Sequence, residues 1–288
     1  MASYPFLKGH GTENDFVLLP DPDGAIHGDL GVDRVRALCD RRAGIGGDGV
    51  LRVIRTSSAY VTDWAGTTDL GGAEWFMDYR NADGSISQMC GNGVRVFARY
   101  LLDAGLATAP VRIATRAGMK TVVVEGSGAE AVFTADMGSP KVLGSSQVTI
   151  QHHFWSATHI DMGNPHAVAF VDDLDEHGPV GSLVDPPVHD EEEYPEGVNV
   201  EFVRRLGERH VAMRVHERGS GETRSCGTGA CAAMVATALE DGGSGGRDHD
   251  LTYRVDVPGG VLHVTWTTDD RVLLTGPAVV VAEGKTDL

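Results

Sequence analysis

Met89-Cys90-Gly91-Asn92-Gly93 runs directly into Val94-Arg95-Val96-Phe97-Ala98-Arg99-Tyr100-Leu101-Leu102-Asp103-Ala104 and stops at Gly105. Ser225-Cys226-Gly227-Thr228-Gly229 does the same, running into Ala230 to Glu240 and stopping at Gly242-Gly243. Each stretch sets one cysteine before a Gly-x-Gly and then reads as a helix closed by glycine, the residue that tolerates the left-handed conformation past a last helical turn. The second helix is apolar almost all round, which predicts enclosure by protein on every side. A thiol at a helix start meets unpaired backbone N–H groups and the positive end of the helix dipole. Both are expected to lower its pKa and to hold an anion beside it. A single such site could be nothing more than a tight turn with a small buried residue, but two matched sites favour function.

The residues around these stretches repeat as well. Lys8 to Leu19 reads as a glycine turn entering a strand, and Met162-Gly163-Asn164-Pro165-His166-Ala167-Val168-Ala169-Phe170 takes its part in the second half. Strands are expected at Val50–Ile54, Trp75–Arg80, Val111–Thr115, Lys120–Glu125 and Ala131–Met137, with a turn at Asn81-Ala82-Asp83-Gly84. The later strands are Glu196–Val203, Ala212–His216, Tyr253–Val257, Val261–Trp266 and Val272–Leu274. From Cys90 to the closing Gly138 is 48 positions, and from Cys226 to Gly276 is 50. We therefore expect an α+β chain of two pseudo-symmetric domains, each a curved mixed sheet wrapped around one buried helix. The expected domains are residues 1–137 plus 277–288, carrying Cys90, and residues 138–276, carrying Cys226, with the last dozen residues returning to the first as a strand. Residues 56–74 read as an exposed hairpin or loop.

Composition narrows the function. At 288 residues the chain suits two domains, and its hydrophobic content of 41% is ample for their cores. A net charge of −17 argues against nucleic acid or an anionic membrane as partner. No apolar run approaches the roughly 18 residues of a spanning helix, and the N-terminus lacks the apolar core of a signal peptide. Four cysteines are too few for a disulfide scaffold, so a cytoplasmic protein with free thiols is expected. Gly44-Ile45-Gly46-Gly47-Asp48-Gly49 matches the letters of a dinucleotide fingerprint, but a helix precedes it and a strand follows, the reverse of the required order. Cys39 and Cys231 read as packing residues, and His152-His153 as a surface pair. Nothing indicates a metal site or a cofactor. The partner implied is a small molecule, with a homodimer left open.

Two thiols facing each other across an interdomain cleft would suit inversion at a carbon centre. One thiolate removes an α-proton while the opposite thiol protonates the other face. The N–H groups of Gly91, Asn92, Gly227 and Thr228 would hold the α-carboxylate as charge grows on it.

At this point the chain resembles, over its whole length, the diaminopimelate epimerase family. The residues that carry the resemblance are Asn14-Asp15-Phe16, Gly44 through Gly49, Asn81-Ala82-Asp83-Gly84, Met89 to Arg95, Gly163-Asn164-Pro165-His166, Gly197-Val198-Asn199, Glu217 to Thr223, and Ser225 to Gly229. The resemblance implies cofactor-independent interconversion of LL- and meso-diaminopimelate in lysine and peptidoglycan biosynthesis, with Cys90 and Cys226 as the acid/base pair. It implies that Asn14, Asn81, Asn92, Asn164, Asn199 and Arg218 bind substrate, that Glu217 receives an ammonium group, and that His166 supports the site. Glu13 and Gly49 depart from the family pattern, which puts the first-half contacts in question.

The nearest rival is a proline or hydroxyproline racemase of similar fold, against which Asn92 and Arg218 argue. A cysteine hydrolase using His166 or His216 leaves the second cysteine without a role. A reversible Cys90–Cys226 disulfide is a further hypothesis.

Overall fold

The computed structural model describes residues 3–61, 70–243 and 248–288. The chain divides into two compact units, Met1–Ala135 with Pro277–Leu288, and Asp136–Gly276.

In the first unit the strands lie in the order Val279–Thr286, Tyr4–Gly11, Asn14–Pro20, Gly49–Arg55, Trp75–Asn81, Val111–Thr115, Gly118–Glu125 and Val132–Gly138. The successive pairings are antiparallel, antiparallel, parallel, antiparallel, parallel, antiparallel and antiparallel. In the second unit the order is Lys141–Ile150, His153–Asp161, Pro165–Phe170, Asn199–Gly207, His210–Glu217, Leu251–Val257, Gly260–Trp266 and Val272–Pro277, with the same sequence of pairing senses. Identical order and identical sense over eight strands is a duplication. The strand that follows each closing strand in the chain is the outermost strand of the other repeat.

Parallel neighbours need a crossover. Helix α1 (Val32–Cys39) makes the first crossover of unit one, and helix α2 (Gly91–Asp103) makes the second. Helix α3 (Gly227–Glu240) occupies the place of α2 in unit two. Every residue of α3 from Gly227 to Ala238 is buried, as its all-round apolar sequence requires. Gly105 and Gly242 lie just past the two helix ends at φ +66° and +82°, the left-handed stop read from the sequence.

The N-terminal segment differs from expectation in an informative way. Tyr4–Gly11 and Asn14–Pro20 form a hairpin whose turn is Thr12-Glu13, both at positive φ, and the glycines lie in the strand. Their purpose is close approach. A Cβ on Gly9 would lie 2.8 Å from Val96 Cγ1 and 2.9 Å from the Val279 carbonyl oxygen, and one on Gly11 would lie 2.9 Å from Arg95 Nη2. Small residues there let α2 settle onto the sheet.

Two further differences stand out. The hairpin Lys141–Ile150/His153–Asp161 was not read as a pair of strands; most of Lys141–Ile150 is exposed, so it lacks an apolar alternation. Of the segment 56–74, residues 62–69 lie outside the described residues, but Val61 and Ala73 are buried with Ile54, Phe76 and Ala114 rather than exposed. Gly44 to Gly49 links α1 to the strand Gly49–Arg55, the order that excludes a dinucleotide loop.

Candidate active site

Each cysteine is the N-cap of its helix, in extended backbone conformation, and its sulfur accepts the N–H of the third helical residue. Gly93 N–H reaches Cys90 Sγ at 3.4 Å, and Gly229 N–H reaches Cys226 Sγ at 3.3 Å. The fourth N–H closes on the cysteine carbonyl in both, Val94 to Cys90 O and Ala230 to Cys226 O. A side chain at the third position would also be crowded: a Cβ on Gly93 would stand 3.2 Å from Cys90 Cβ, and one on Gly229 3.2 Å from Cys226 Cβ.

Around Cys90 the structure builds a polar chain. Cys90 Sγ donates to Asn14 Oδ1 at 3.7 Å, and Asn92 Nδ2 donates to the same oxygen at 3.2 Å. Asn14 Nδ2 donates in turn to Asp48 Oδ2 at 2.8 Å. Arg95, fully buried, donates to Asn92 Oδ1 at 2.8 Å and to the carbonyls of Gly91 and Pro277. Behind Asn14, Arg41 grips Asp15 and Asp48, and Lys8 pairs with Asp15 at 2.6 Å. Burial opposes charge on Asp15, but the hydrogen bonds from Arg41 and Lys8 win and hold its carboxyl well below the usual range. Burial, followed by the neighbouring Asp15 charge, pushes Asp48 up.

Around Cys226 the environment is acidic. Thr228 Oγ1 lies 3.5 Å from the sulfur. Burial, then the charges of Glu217 and Glu201, pushes the Cys226 thiol well above its ordinary value, against the smaller pull of Thr228 and the Gly229 N–H. The lowered pKa expected at this helix start is therefore corrected for Cys226: full burial, joined by two carboxyls from neighbouring strands, outweighs the Gly229 N–H and Thr228. Glu217 accepts a short hydrogen bond from Thr223 Oγ1. His166 Nδ1 lies 2.7 Å from Glu201 Oε1, with both side chains wholly buried, and His166 Nε2 lies 3.1 Å from Asn164 Oδ1. Arg218 is anchored by its own N–H to Asn199 Oδ1 at 2.9 Å, while its partly exposed guanidinium donates to Glu196 O at 3.0 Å.

The sheet registers show how the repeats correspond. Val17 pairs Val50 and Val50 pairs Arg80; Ala167 pairs Val200 and Val200 pairs His216. By the same alignment, Phe16 corresponds to His166, Asn14 to Asn164, Leu51 to Glu201 and Asn81 to Glu217. The glycine contacts agree, since the position of a Gly93 Cβ is 3.1 Å from Leu51 Cδ2 and that of a Gly229 Cβ is 2.6 Å from Glu201 Oε1. The duplicated scaffold is thus apolar beneath Cys90 and carries an imidazole–carboxyl pair beneath Cys226.

Within unit one, Asn14 and Asn92 gather at Cys90, and Asn81 is held across its turn by Ser85. Within unit two, Thr228 and Glu217 gather at Cys226, and Asn164 and His166 form a neighbouring pair. Not every expected binding side chain is open to a ligand. Asn92 is fully buried with its amide spent on Asn14 and Arg95, and Asn199 uses its amide on Pro165 O and the Arg218 N–H. Gly49 has no room for a larger residue, because a Cβ would lie 2.5 Å from Arg80 O. The sequence reading missed Asp48, Arg41 and Glu201. A glutamate inside the otherwise apolar Val200-Glu201-Phe202-Val203 was the available signal for the last.

All four cysteines are free thiols; Cys39 packs with Val35 and Leu38, and Cys231 is buried inside α3. Among the described residues no three His, Cys, Asp or Glu side chains are grouped to hold a metal ion, and no helix is long and apolar enough to cross a membrane.

A family model described as diaminopimelate epimerase matches residues 6–143 and 158–281. A diaminopimelate epimerase of Streptomyces coelicolor is 56% identical over 286 residues, covering 98% of this chain and 95% of that protein. One from Thermobifida fusca is 49% identical, covering 97% and 96%. Among solved structures, a phenazine biosynthesis protein of the PhzF family from Bacillus anthracis superposes with a TM-score of 0.72 at 18% identity, each chain covered in full. A hydroxyproline epimerase from Agrobacterium vitis gives 0.66 at 15% identity, covering 99% of this chain and 91% of that one. These two likenesses speak to the fold, which is mixed β-sheet around a few helices. The full-length sequence matches speak to descent: this chain belongs to the diaminopimelate epimerase family.

Proposed function

We propose that the chain interconverts LL- and meso-diaminopimelate without a cofactor, with Cys90 and Cys226 as the two proton carriers. The observation that carries this is the pair of thiols, each capping the buried helix of one of two topologically identical repeats. One thiolate takes the α-proton, leaving a carbanion stabilised into the carboxylate, and the other thiol gives its proton to the opposite face. The first sulfur ends protonated and the second ionised, so the enzyme leaves each turnover ready for the reverse direction.

The surroundings of Cys226 support one division of the two roles. Burial and the acidic neighbours Glu217 and Glu201 keep Cys226 a neutral thiol. That suits Cys226 to be the donor toward the LL isomer and leaves Cys90 as the base, once it has given up the proton it directs at Asn14 Oδ1. The N–H groups of Gly227 and Thr228, in the first turn of α3, are placed to bind the α-carboxylate, as an anion at a helix start requires. The partly exposed Arg218 guanidinium suits a distal carboxylate, which it can grip through two parallel hydrogen bonds. Glu217 suits an ammonium group, and Asn164 offers amide N–H groups. A proline-type substrate has no distal carboxylate to use Arg218.

Cys90→Ala and Cys226→Ala are each expected to lower epimerisation by about a thousandfold, with circular dichroism and melting temperature close to those of the parent. Turnover within tenfold of the parent in either variant overturns the pairing of the two thiols. Turnover of proline but not of diaminopimelate overturns the substrate.

A further inference from the structure

Glu201 is a carboxyl with no exposure to solvent, placed on the strand Asn199–Gly207 at the position that Leu51 fills in the other repeat. Its Oε1 lies 2.7 Å from His166 Nδ1, and its Oε2 is buried without a hydrogen-bond partner. An apolar residue serves the same place in unit one, so the fold does not demand a carboxyl there. Its cost in desolvation calls for a use.

The His166 contacts indicate that use. Nε2 is 3.1 Å from Asn164 Oδ1, an amide oxygen that only accepts, so Nε2 must carry a proton. Two arrangements allow this. A neutral Glu201 carboxyl donates to a bare Nδ1, or an ionised Glu201 accepts from a doubly protonated ring. Burial pushes Glu201 up, against the pull of His166. Both arrangements leave the proton on Nε2. The remaining form, a neutral ring protonated at Nδ1, would set a lone pair against Asn164 Oδ1 and release the amide to rotate.

We propose that Glu201 is a positioning residue that fixes His166 with its proton on Nε2, so that Asn164 is held with its oxygen toward the imidazole and its N–H groups turned to the ligand. Glu201 touches no reacting atom; it acts through His166 and Asn164. Its consequence for turnover rests on the reaction proposed above, whereas its consequence for the imidazole does not.

The test is the full chain labelled with 15N-histidine, in which long-range 1H–15N spectra read the His166 tautomer directly. Parent protein is expected to show Nε2 protonated. Glu201→Leu is expected to lose that pattern and to drop kcat/KM on diaminopimelate by about tenfold or more, roughly one lost hydrogen bond to substrate. Glu201→Gln, whose amide N–H can still donate to Nδ1, is expected to rescue both readouts to within about threefold. A parent spectrum with the proton on Nδ1, or a Glu201→Leu protein with unchanged tautomer and unchanged kcat/KM, overturns the proposal. Should Glu201→Leu fail to fold, the parent and Glu201→Gln spectra still decide it. A parent that shows the Nε2 proton but does not act on diaminopimelate contradicts the reaction and not the positioning.

Discussion

A thiol at a helix start is ordinarily acidified, and Cys226 shows what reverses that. The Gly229 N–H and Thr228 Oγ1 favour its thiolate, but full burial and the carboxyls of Glu217 and Glu201 weigh more. Neither glutamate is near Cys226 in the way a local pattern would reveal: Glu201 comes from one strand and Glu217 from the end of the next. The cysteine and its Gly-x-Gly were legible in the sequence, because a cap is a local feature. The charge around it was not, because it depends on how strands align. Cys90, only partly buried, differs from Cys226 in access as well. Iodoacetamide at pH 7.5 is therefore expected to alkylate Cys90 well before Cys226, as peptide mass spectrometry of a time course would read. Equal rates, or Cys226 first, would contradict the proposed division of roles.

At the scale of elements, both cysteine helices were legible from end to end, since Cys90 and Cys226 start them and Gly105 and Gly242 stop them. Gly9 and Gly11 were misread as a turn because glycine marks close approach as often as reversal, and the sequence does not say which. The real turn, Thr12-Glu13, carries neither glycine nor asparagine at its positive-φ positions. Glu13 is thus a turn residue, and its N–H is held by His10 Nδ1 at 3.2 Å. Gly9→Ala tests the close-approach reading. Its new methyl would meet Val96 Cγ1 at 2.8 Å and a backbone oxygen at 2.9 Å, so α2 or the strand Val279–Thr286 must shift. A loss of about 1–3 kcal/mol in urea unfolding is expected. No measurable loss would mean that the strand and helix are not packed as tightly as described.

For the whole molecule, duplication was legible because the order of cap, helix and strands is repeated, while its full extent was not. The outer hairpin Lys141–Ile150/His153–Asp161 completes the second repeat, yet its exposed residues carry no periodic signal. Stability against acid is a property of the same scale. His27 is buried edge-on to Tyr4, with no hydrogen-bond partner on either ring nitrogen. Burial, partly opposed by Asp21 and aided by Arg34 and Arg52, pushes its pKa down to about 4. The folded pKa is below the unfolded value of about 6.5, so the unfolded chain binds the proton first. The stability that neutral His27 allows is complete above pH 6.5 and is lost as pH falls toward 4. His27→Phe, which keeps the packing against Tyr4, is expected to remove about 2 kcal/mol of the acid-induced loss over that window. An unchanged slope of unfolding free energy with pH between 6.5 and 4 would show that other groups govern it.

In the proposed reaction the repeated scaffold matters because it would supply two proton carriers in place of one. Conversion of unlabelled LL-diaminopimelate in heavy water, sampled at early conversion, tests that claim most directly. Two thiols that each equilibrate with solvent predict meso product fully deuterated at the inverted α-carbon, with the unreacted LL substrate still protiated. Meso product that retains the substrate's own proton would mean that a single base carries it from face to face, and would contradict the account.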